Sequence, residues 1–341
     1  MLLSRHIIIF FAFLQCIYSG LYPIQIFAVC FGNHYVHFPM YFFSMAKVFQ
    51  INSSAIGLSD INIPVNLTVL MDPMCYNGLS RCIPTLRKYF PFNILRTADL
   101  HNPNLESMSS FGKRFYGAIF KMDLLSISHF ENMDFVMAID LDCGFYHRFD
   151  DVWKAVTSKH ESNHFPQSIE YSGLKKDKVF WAALEVSNHS TDMQFQYRNT
   201  TNIWYRNHNK TQFYPPSGLN TGVIIWNLAL MRKLNMSVYD FIRNNTEEAL
   251  LADQDYLNSW AYWHQDRIGL LSCKYNTRRD RNCIGPVADS MGSTRYIDLS
   301  SQPEECPIFH ANAGFTRHGI GLNISLPFRT QFYEMCRYWT P

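Results

Sequence analysis

The chain has 341 residues, a formal net charge of +2 and 47% hydrophobic residues. This charge is too close to zero for a nucleic-acid-binding surface, which argues against DNA or RNA as a partner. The composition supplies enough apolar residues for a packed core and gives no sign of disorder. Because no linker rich in proline, glycine or serine divides the sequence, we predict a single domain over residues 23–341.

The N-terminus carries an apolar segment, residues 7–18, directly after Arg5 and His6. This segment is shorter than the ~20 residues of a membrane-spanning helix, and its position is typical of a secretory signal. We therefore predict a signal peptide or short signal-anchor over residues 1–20. An uncleaved anchor that extends to Phe27 is the alternative. It would make the chain a type II membrane protein, attached to the membrane through this segment only.

Sequons of the form Asn-x-Ser/Thr support entry into the secretory pathway. Chance composition gives about three or four of them. The sequence contains eight, at Asn52, Asn66, Asn188, Asn199, Asn209, Asn235, Asn244 and Asn323. We expect a glycoprotein of the endoplasmic reticulum or Golgi lumen, or a secreted one if the signal is cleaved.

The nine cysteines become eight once Cys16 is assigned to the signal. An even number in an oxidising lumen permits disulfides. The pairs that we favour from their spacing are Cys75 with Cys82, Cys273 with Cys283, and Cys306 with Cys336. The sequence has no Cys-x-x-Cys motif, which argues against a zinc site.

Apolar runs of strand type alternate with helical patterns along the chain. Strand-like runs cover residues 24–30, 65–72, 92–99, 134–140, 179–185, 219–227 and 307–310. Helical patterns cover residues 113–130 and 246–260, and others begin at Asp150 and Leu228. This alternation predicts an α/β fold with a mostly parallel sheet. We interpret residues 156–178 as an insertion and residues 193–217 as a long functional loop.

Two aspartates, Asp140 and Asp142, follow the strand-like run that begins at Asp134. Alternate residues of a strand point to the same face, so the two carboxylates are expected to leave the sheet together. Carboxylates held close together repel unless a proton or cation lies between them, and Mg²⁺ or Mn²⁺ suits oxygen ligands. Helix-capping or loop aspartates are the alternative, because a second Asp-x-Asp occurs at Asp253 and Asp255.

The segment after the last strand holds His310, Gly314 and Arg317. Glycine lets the backbone approach a phosphate closely, and arginine neutralises its charge. A lone histidine is more often a structural hydrogen-bonding residue. If His310 meets Asp140 and Asp142 in space, however, the three side chains form an acceptable Mn²⁺ site.

Two further polar motifs are less specific. Asn220, next to a strand, belongs either to a turn or to a site where its amide contacts sugar hydroxyls. Asp253 and Gln254 form either a solvated helix start or a carboxylate and amide that project into a cleft. The aromatic pair Trp204 and Tyr205 either packs the loop or offers flat faces to a carbohydrate.

These motifs in this order resemble those of the retaining glycosyltransferases of family 8, and within that family the chain is most similar to the glucoside xylosyltransferases. The resemblance extends from about Ile24 to the C-terminus. It rests on Asp140-Leu-Asp142, Gly218-Leu-Asn220-Thr-Gly-Val, Asp253-Gln-Asp255-Tyr-Leu-Asn258, Cys273-Lys-Tyr-Asn276-Thr-Arg278 and His310-x-Asn312-x-Gly314, with Trp204-Tyr205 at the expected spacing.

The resemblance implies a GT-A fold, a UDP-sugar donor and Mn²⁺, with Mg²⁺ as the alternative ion. It implies transfer that retains the anomeric configuration, to a glycan acceptor on a protein. The implied metal ligands are Asp140, Asp142 and His310, and the implied catalytic residues are Asp253, Gln254 and Asn220. The implied donor-binding residues are Ala28, Val29, Cys30, Asn33, Leu141, Gly314 and Arg317, and the implied acceptor-binding residues are Trp204 and Tyr205.

The sequence departs from the family pattern where an arginine often precedes the metal-binding strand. Ala118 stands there, and Lys113, Arg114 or Lys121 would have to replace the arginine. This departure keeps a second function open, that of a UDP-sugar-binding or glycan-binding protein without turnover. Transfer of glucose or galactose instead of xylose also stays open, and Cys143, next to the aspartate pair, has no assigned role.

Overall fold

Eleven strands are present in the residues that the computed structural model describes, which are 22–50, 63–100, 117–157, 177–185, 218–244, 253–278, 283–288, 294–298 and 305–310. In chain order they are β1 (Ile24–Cys30), β2 (Val65–Met71), β3 (Phe92–Arg96), β4 (Phe135–Ile139), β5 (Cys143–Phe145), β6 (Phe180–Leu184), β7 (Leu219–Asn227), β8 (Ile268–Leu271), β9 (Ile284–Ala288), β10 (Thr294–Asp298) and β11 (Ile308–His310).

Seven of these strands form a central sheet in the order β3-β2-β1-β4-β7-β6-β8. Strand β1 pairs in parallel with β2 and β4, β2 pairs in parallel with β3, and β6 pairs in parallel with β8. The pairs that β7 makes with β4 and β6 are antiparallel. The prediction of a mixed, mostly parallel sheet is confirmed.

The described helices cover both faces of the sheet. They are α1 (Phe38–Gln50), α2 (Pro73–Leu79), α3 (Ile83–Tyr89), α4 (Asp150–Thr157), α5 (Leu228–Leu234), α6 (Val238–Asn244) and α7 (Asp253–Trp263). Alternate residues of β7 enter two different hydrophobic clusters, Val223 and Ile225 on the side of α1 to α4, and Ile224 and Trp226 on the side of α5 to α7. Burial on both faces explains why β7 is apolar almost throughout. None of the helices in the described ranges is both long and apolar enough to span a bilayer.

A second, smaller pairing joins two distant parts of the chain. Strand β5 follows β4 after three residues, and it pairs antiparallel with β11, so that Cys143 lies opposite His310. Strands β9 and β10 form a separate two-stranded ribbon. The β5–β11 pair determines where the last predicted site residue lies.

The predicted helix over residues 113–130 is wrong in its second half. There the chain forms two short 3₁₀ helices, Leu124–Ser126 and Ser128–Phe130. The apolar residues Leu124, Ile127 and Phe130 are buried at a spacing of three, which matches the three residues per turn of a 3₁₀ helix. Residues 113–116 lie outside the described ranges, as do 158–176, 193–217 and 246–252 of the other predicted segments.

The disulfide prediction is partly wrong. Cys273 bonds to Cys283 as predicted, but Cys75 bonds to Cys30 and not to Cys82. The parallel register places Cys30 beside Met71, close to the start of α2, whereas α2 itself separates Cys75 from Cys82. Cys336, the predicted partner of Cys306, lies outside the described residues.

Candidate active site

The two strand-end aspartates stand on a tight turn and not on a continued strand. Strand β4 ends at Ile139, and the Asp140 amide donates to the Gly222 carbonyl on β7 at 2.9 Å. The Cys143 amide then donates to the Asp140 carbonyl at 3.0 Å, which closes the turn. The expected convergence of the two carboxylates therefore arises from a turn at the end of β4, because strand alternation does not extend past Ile139.

His310 lies beside both aspartates. Its Nε2 atom is 3.3 Å from Asp142 Oδ1 and 4.0 Å from Asp140 Oδ2. The β5–β11 pair positions it, because His310 faces Cys143, the residue directly after Asp142. The structure thus brings the three predicted metal ligands together. Metal binding by them stays a prediction.

The donor atoms of Asp140, Asp142 and His310 are of types that can bind a small divalent cation. Ligand atoms about 2.0–2.1 Å from an octahedral ion lie about 3 Å apart across a right angle. The 3.3 Å distance from His310 to Asp142 is close to this value, whereas the 4.0 Å distance from His310 to Asp140 is longer. The Asp140 side chain is 30% exposed, so that an outside ligand can reach it. Two carboxylates and an imidazole suit Mn²⁺ or Mg²⁺.

Cys143 adds a thiol to the same cluster. Ligand atoms of Asp142, Cys143 and His310 all lie within 4.8 Å of one another, and this group contains Cys143 where the prediction has Asp140. The Cys143 thiol contacts the Gly222 carbonyl at 3.8 Å. Burial, reinforced by Asp142 and Asp140, raises the pKa of Cys143 well above its usual range.

Lys121 brings a buried positive charge to the site. Its ammonium lies 2.5 Å from Asp140 Oδ1 and 2.9 Å from Asp253 Oδ2, and it donates to the Thr221 carbonyl at 3.1 Å. Burial acts to lower the pKa of Lys121, but the two carboxylates outweigh it and raise the pKa above its usual range. Of the three cations that could replace the family arginine, Lys121 is in the site, whereas Lys113 and Arg114 lie outside the described residues.

The two aspartates differ in their acidity. Burial raises the pKa of Asp140 to about 6, against the attraction of Lys121 and with repulsion from Asp142 and Asp253. Burial also acts to raise the pKa of Asp142, but attraction to His310 outweighs it and holds this pKa below the usual range. The pKa of His310 is raised, because Asp142 and Asp140 outweigh its burial. The two carboxylates therefore share one site with opposite shifts.

Asn220, predicted to contact a sugar, lies in a buried hydrogen-bond network. Its Nδ2 donates to Glu185 Oε2 at 2.6 Å, and its Oδ1 accepts from the Gly222 amide at 2.8 Å and from Asn276 Nδ2 at 2.7 Å. Gly218, which begins the motif, has a φ of +86°, a conformation that favours glycine. The amide of Asn220 thus contacts protein groups, and its predicted catalytic role stays a prediction.

Asp253 and Gln254 begin α7, next to the same sheet edge. Asp253 pairs with Lys121, and Gln254 Nε2 donates to Glu185 Oε2 at 3.1 Å. Asn258, one turn later, fastens the helix to β7, because its amide exchanges hydrogen bonds with the backbone of Leu219 at 2.6 and 2.9 Å. These contacts hold the start of α7 beside Asp140 and Glu185.

The predicted donor-binding residues are only partly described. The last three residues of β1 are Ala28, Val29 and Cys30. Because β1 and β4 are parallel neighbours, both strands end at the same edge of the sheet. Asn33 lies in the 3₁₀ helix Gly32–Val36 that follows, and Leu141 lies between the two aspartates. Gly314, Arg317, Trp204 and Tyr205 lie outside the described residues.

Sequence reasoning assigned no role to Glu185. It directly follows β6, and its side chain is 1% exposed. Its partner Arg278 Nη1 lies 2.5 Å from Oε1. A charged residue immediately after an apolar strand is the signal that identified Asp140, and the same signal marks Glu185.

Solved structures share this fold. No family model matches the sequence, and no curated protein matches it. The structure of the WbbM bifunctional glycosyltransferase superimposes with a TM-score of 0.57 and 11% identity, over 92% of this chain and 51% of that one. Mouse xyloside xylosyltransferase 1 superimposes with a TM-score of 0.51 and 15% identity, over 86% of this chain and 99% of that one. The fold is the GT-A glycosyltransferase fold. The chain spans about half the length of WbbM, and identities this low concern the fold alone.

Proposed function

We propose that the protein is a metal-dependent glycosyltransferase that transfers a sugar, xylose in the first instance, from a UDP-sugar to a sugar acceptor on a secreted or membrane glycoprotein. The observation that carries the proposal is the meeting of Asp140, Asp142 and His310 beyond the end of β4 in a GT-A fold. The choice of xylose is supported by the resemblance of the motifs and by the name of the mouse enzyme.

The cation would be held by Asp140, Asp142 and His310. When bound, it supplies positive charge that stabilises the negative charge developing on the departing diphosphate. The UDP moiety would lie along the edge formed by the ends of β1 and β4. Its contacts would be the predicted donor-binding residues, which are Ala28, Val29, Cys30, Asn33, Leu141, Gly314 and Arg317. Trp204 and Tyr205 would contact the acceptor.

The chemistry would proceed with retention. The bond between the anomeric carbon and the UDP oxygen breaks, the acceptor hydroxyl oxygen bonds to that carbon on the same face, and the hydroxyl proton passes to a β-phosphate oxygen. A double displacement would need a nucleophile, and Asp253 and Gln254 are the candidates. Asp253 is ion-paired with Lys121 and the Gln254 amide donates to Glu185, which supports the same-face route.

The disulfides support the proposed compartment. Disulfides such as Cys30–Cys75 and Cys273–Cys283 persist in oxidising compartments. Together with the sequons, they support a secretory-pathway lumen, where UDP-sugar-dependent transfer to glycoproteins takes place. The signal segment itself lies outside the described residues.

Donor turnover by the purified full chain tests the proposal. UDP release from a panel of UDP-sugars is measured with Mn²⁺ and with EDTA. Release from UDP-xylose that depends on Mn²⁺ is the expected result. Tight binding of UDP without UDP release from any of the UDP-sugars would instead support a binding protein without turnover. Faster UDP release from UDP-glucose or UDP-galactose than from UDP-xylose would show that glucose or galactose, and not xylose, is the transferred sugar.

The variant Asp142→Asn is expected to abolish release while the thermal unfolding transition is kept. The matched control is Asp134→Asn, the same chemical change at the opposite end of β4, where the carboxylate accepts from Tyr22 at 2.7 Å. This control should retain release. A fully active Asp142→Asn variant would show that the metal assignment is wrong.

A further inference from the structure

Glu185 accepts hydrogen bonds from three different segments of the chain. Its Oε1 accepts from Arg278, and its Oε2 accepts from Asn220 Nδ2 at 2.6 Å and from Gln254 Nε2 at 3.1 Å. An ionised carboxylate can only accept. A buried charge of this kind is costly unless it is paired and hydrogen-bonded, and here Arg278 provides the pairing.

This carboxylate determines how the Asn220 amide is oriented. Because Glu185 can only accept, the NH₂ group of Asn220 must face it, and Asn220 Oδ1 must face the opposite way. There Oδ1 accepts from the Gly222 amide, a group that can only donate. The orientation of Asn220 is therefore set from both ends, by an obligatory acceptor and by an obligatory donor.

The orientation passes from Asn220 to His310 through Asn276. Asn276 Nδ2 donates to Asn220 Oδ1 at 2.7 Å, so Asn276 Oδ1 is the atom that faces His310 Nδ1 at 3.1 Å. An amide oxygen can only accept, so Nδ1 must carry the proton. In the neutral imidazole this leaves the lone pair on Nε2, the atom that faces Asp142 and Asp140.

We propose that Glu185 is a positioning residue that fixes, through Asn220 and Asn276, which ring nitrogen of His310 carries the proton. The inference deepens the proposed function, because an Nδ1–H tautomer with Nε2 turned toward the carboxylates is the form of histidine that binds a cation. The relay joins the end of β6, strand β7, the loop closed by the Cys273–Cys283 disulfide and β11. None of these segments is close to another in the sequence.

The variant Glu185→Gln tests the relay. Arg278 and Asn220 donate to different oxygens of Glu185, and in glutamine one of these two positions holds a donor NH₂ group, so one of the two partners loses its acceptor. In ¹⁵N-histidine-labelled protein without metal, measured at a pH above the raised pKa of His310 so that the ring is neutral, the His310 signals, assigned by their loss in His310→Gln, should change from the Nδ1–H pattern to a mixture with the Nε2–H pattern. The dissociation constant of Mn²⁺ should rise by about tenfold, the low end of what outer-shell partners contribute.

Asp150→Asn is the matched control. Asp150 also pairs with an arginine, Arg148 at 2.6 Å, and it accepts from the Ile63 amide at 3.2 Å, so the same carboxylate-to-amide change falls on a different pair. In Asp150→Asn the His310 tautomer and the dissociation constant of Mn²⁺ should both be as in the wild type. If Glu185→Gln does not fold, Asn276→Ala breaks the relay beside His310 and keeps the Glu185–Arg278 pair, and the same two changes are expected.

Folded Glu185→Gln and Asn276→Ala variants with an unchanged His310 tautomer and unchanged Mn²⁺ affinity would overturn the inference. Wild-type protein that binds no Mn²⁺ would count against the proposed function instead. In that case the tautomer measurement, which is made without metal, still decides whether Glu185 orients His310.

Discussion

The ammonium of Lys121 lies 2.5 Å from the carboxylate of Asp140, the first residue after β4. The same ammonium lies 2.9 Å from Asp253 at the start of α7, so one buried cation holds together two of the predicted site residues. The lysine side chain is 1% exposed. It therefore balances the negative charge of this edge of the sheet in the protein without a ligand.

Replacing this cation should destabilise the fold. In Lys121→Met two carboxylates lose their partner, and the free energy of unfolding should fall by about 3 kcal/mol, as when one member of a buried ion pair is removed. Lys121→Arg keeps the charge and should lose less. Urea unfolding without metal measures both values.

Millimolar Mn²⁺ should then stabilise Lys121→Met more than the wild type, because the ion replaces part of the lost charge. A methionine variant as stable as the wild type would contradict this role.

Cys143 should be dispensable for binding a hard cation. Its thiol lies close to Asp142 and His310, but Mn²⁺ and Mg²⁺ are hard cations that prefer oxygen ligands to sulfur. Cys143→Ala should therefore keep the Mn²⁺ affinity, at a cost of about 1 kcal/mol in stability for the lost buried volume. His310→Ala, measured by the same titration, should lose most of the affinity. An equal loss in both variants would indicate a thiolate ligand.

The sheet and its edge could be predicted from the sequence, because strands buried on both faces are long apolar runs. The runs around Ile24–Cys30 and Leu219–Asn227 are of this kind, and both are strands with these bounds. The position of Asp140 after such a run also follows from the pattern. That part of the site depends on local sequence only.

The convergence of the site could not be predicted from spacing. His310 reaches Asp142 because β5 and β11, each three residues long, pair with each other. The run over residues 307–310 predicted β11, but β5 is too short to show a periodicity, and the pairing of two segments so far apart in the chain follows from neither. The position of Lys121 depends on a turn region where a regular helix was predicted. The hydrogen bond from Asn220 to Glu185 depends on where β6 ends relative to β7. The sequences of the two strands do not specify this register.

The Cys30–Cys75 disulfide should appear directly in a peptide map. Digestion without reduction should yield one linked pair of peptides with Cys30 and Cys75, and reduction should separate them. The bond closes a loop with a sequence separation of 45. In the double variant Cys30→Ala/Cys75→Ala the free energy of unfolding should fall by about 3–4 kcal/mol, on the chain-entropy account of a loop this long. A disulfide-linked peptide pair with Cys75 and Cys82 would instead support the pairing that the sequence spacing predicted.

Gly222 gives the most direct test of how closely the site is packed. A Cβ atom at this position would overlap Nδ1 and Cε1 of His310 and lie 2.9 Å from Asn276 Oδ1. Gly222→Ala should therefore displace the imidazole and lower Mn²⁺ affinity by at least about tenfold, with an overpacking cost of about 1–3 kcal/mol. Isothermal titration with Mn²⁺ and urea unfolding measure the two effects.

The matched control for Gly222→Ala is Gly144→Ala on β5. There the nearest atoms to an added Cβ belong to Met40, at 3.8 Å, which is ordinary van der Waals contact. This variant should bind Mn²⁺ like the wild type and differ in stability by no more than about 1 kcal/mol. Because both glycines lie close to the aspartate turn, a general effect of adding a methyl group would alter both variants alike. Loss of Mn²⁺ binding in Gly222→Ala alone would show that His310 must keep its place, and equal binding by both variants would exclude His310 as a ligand.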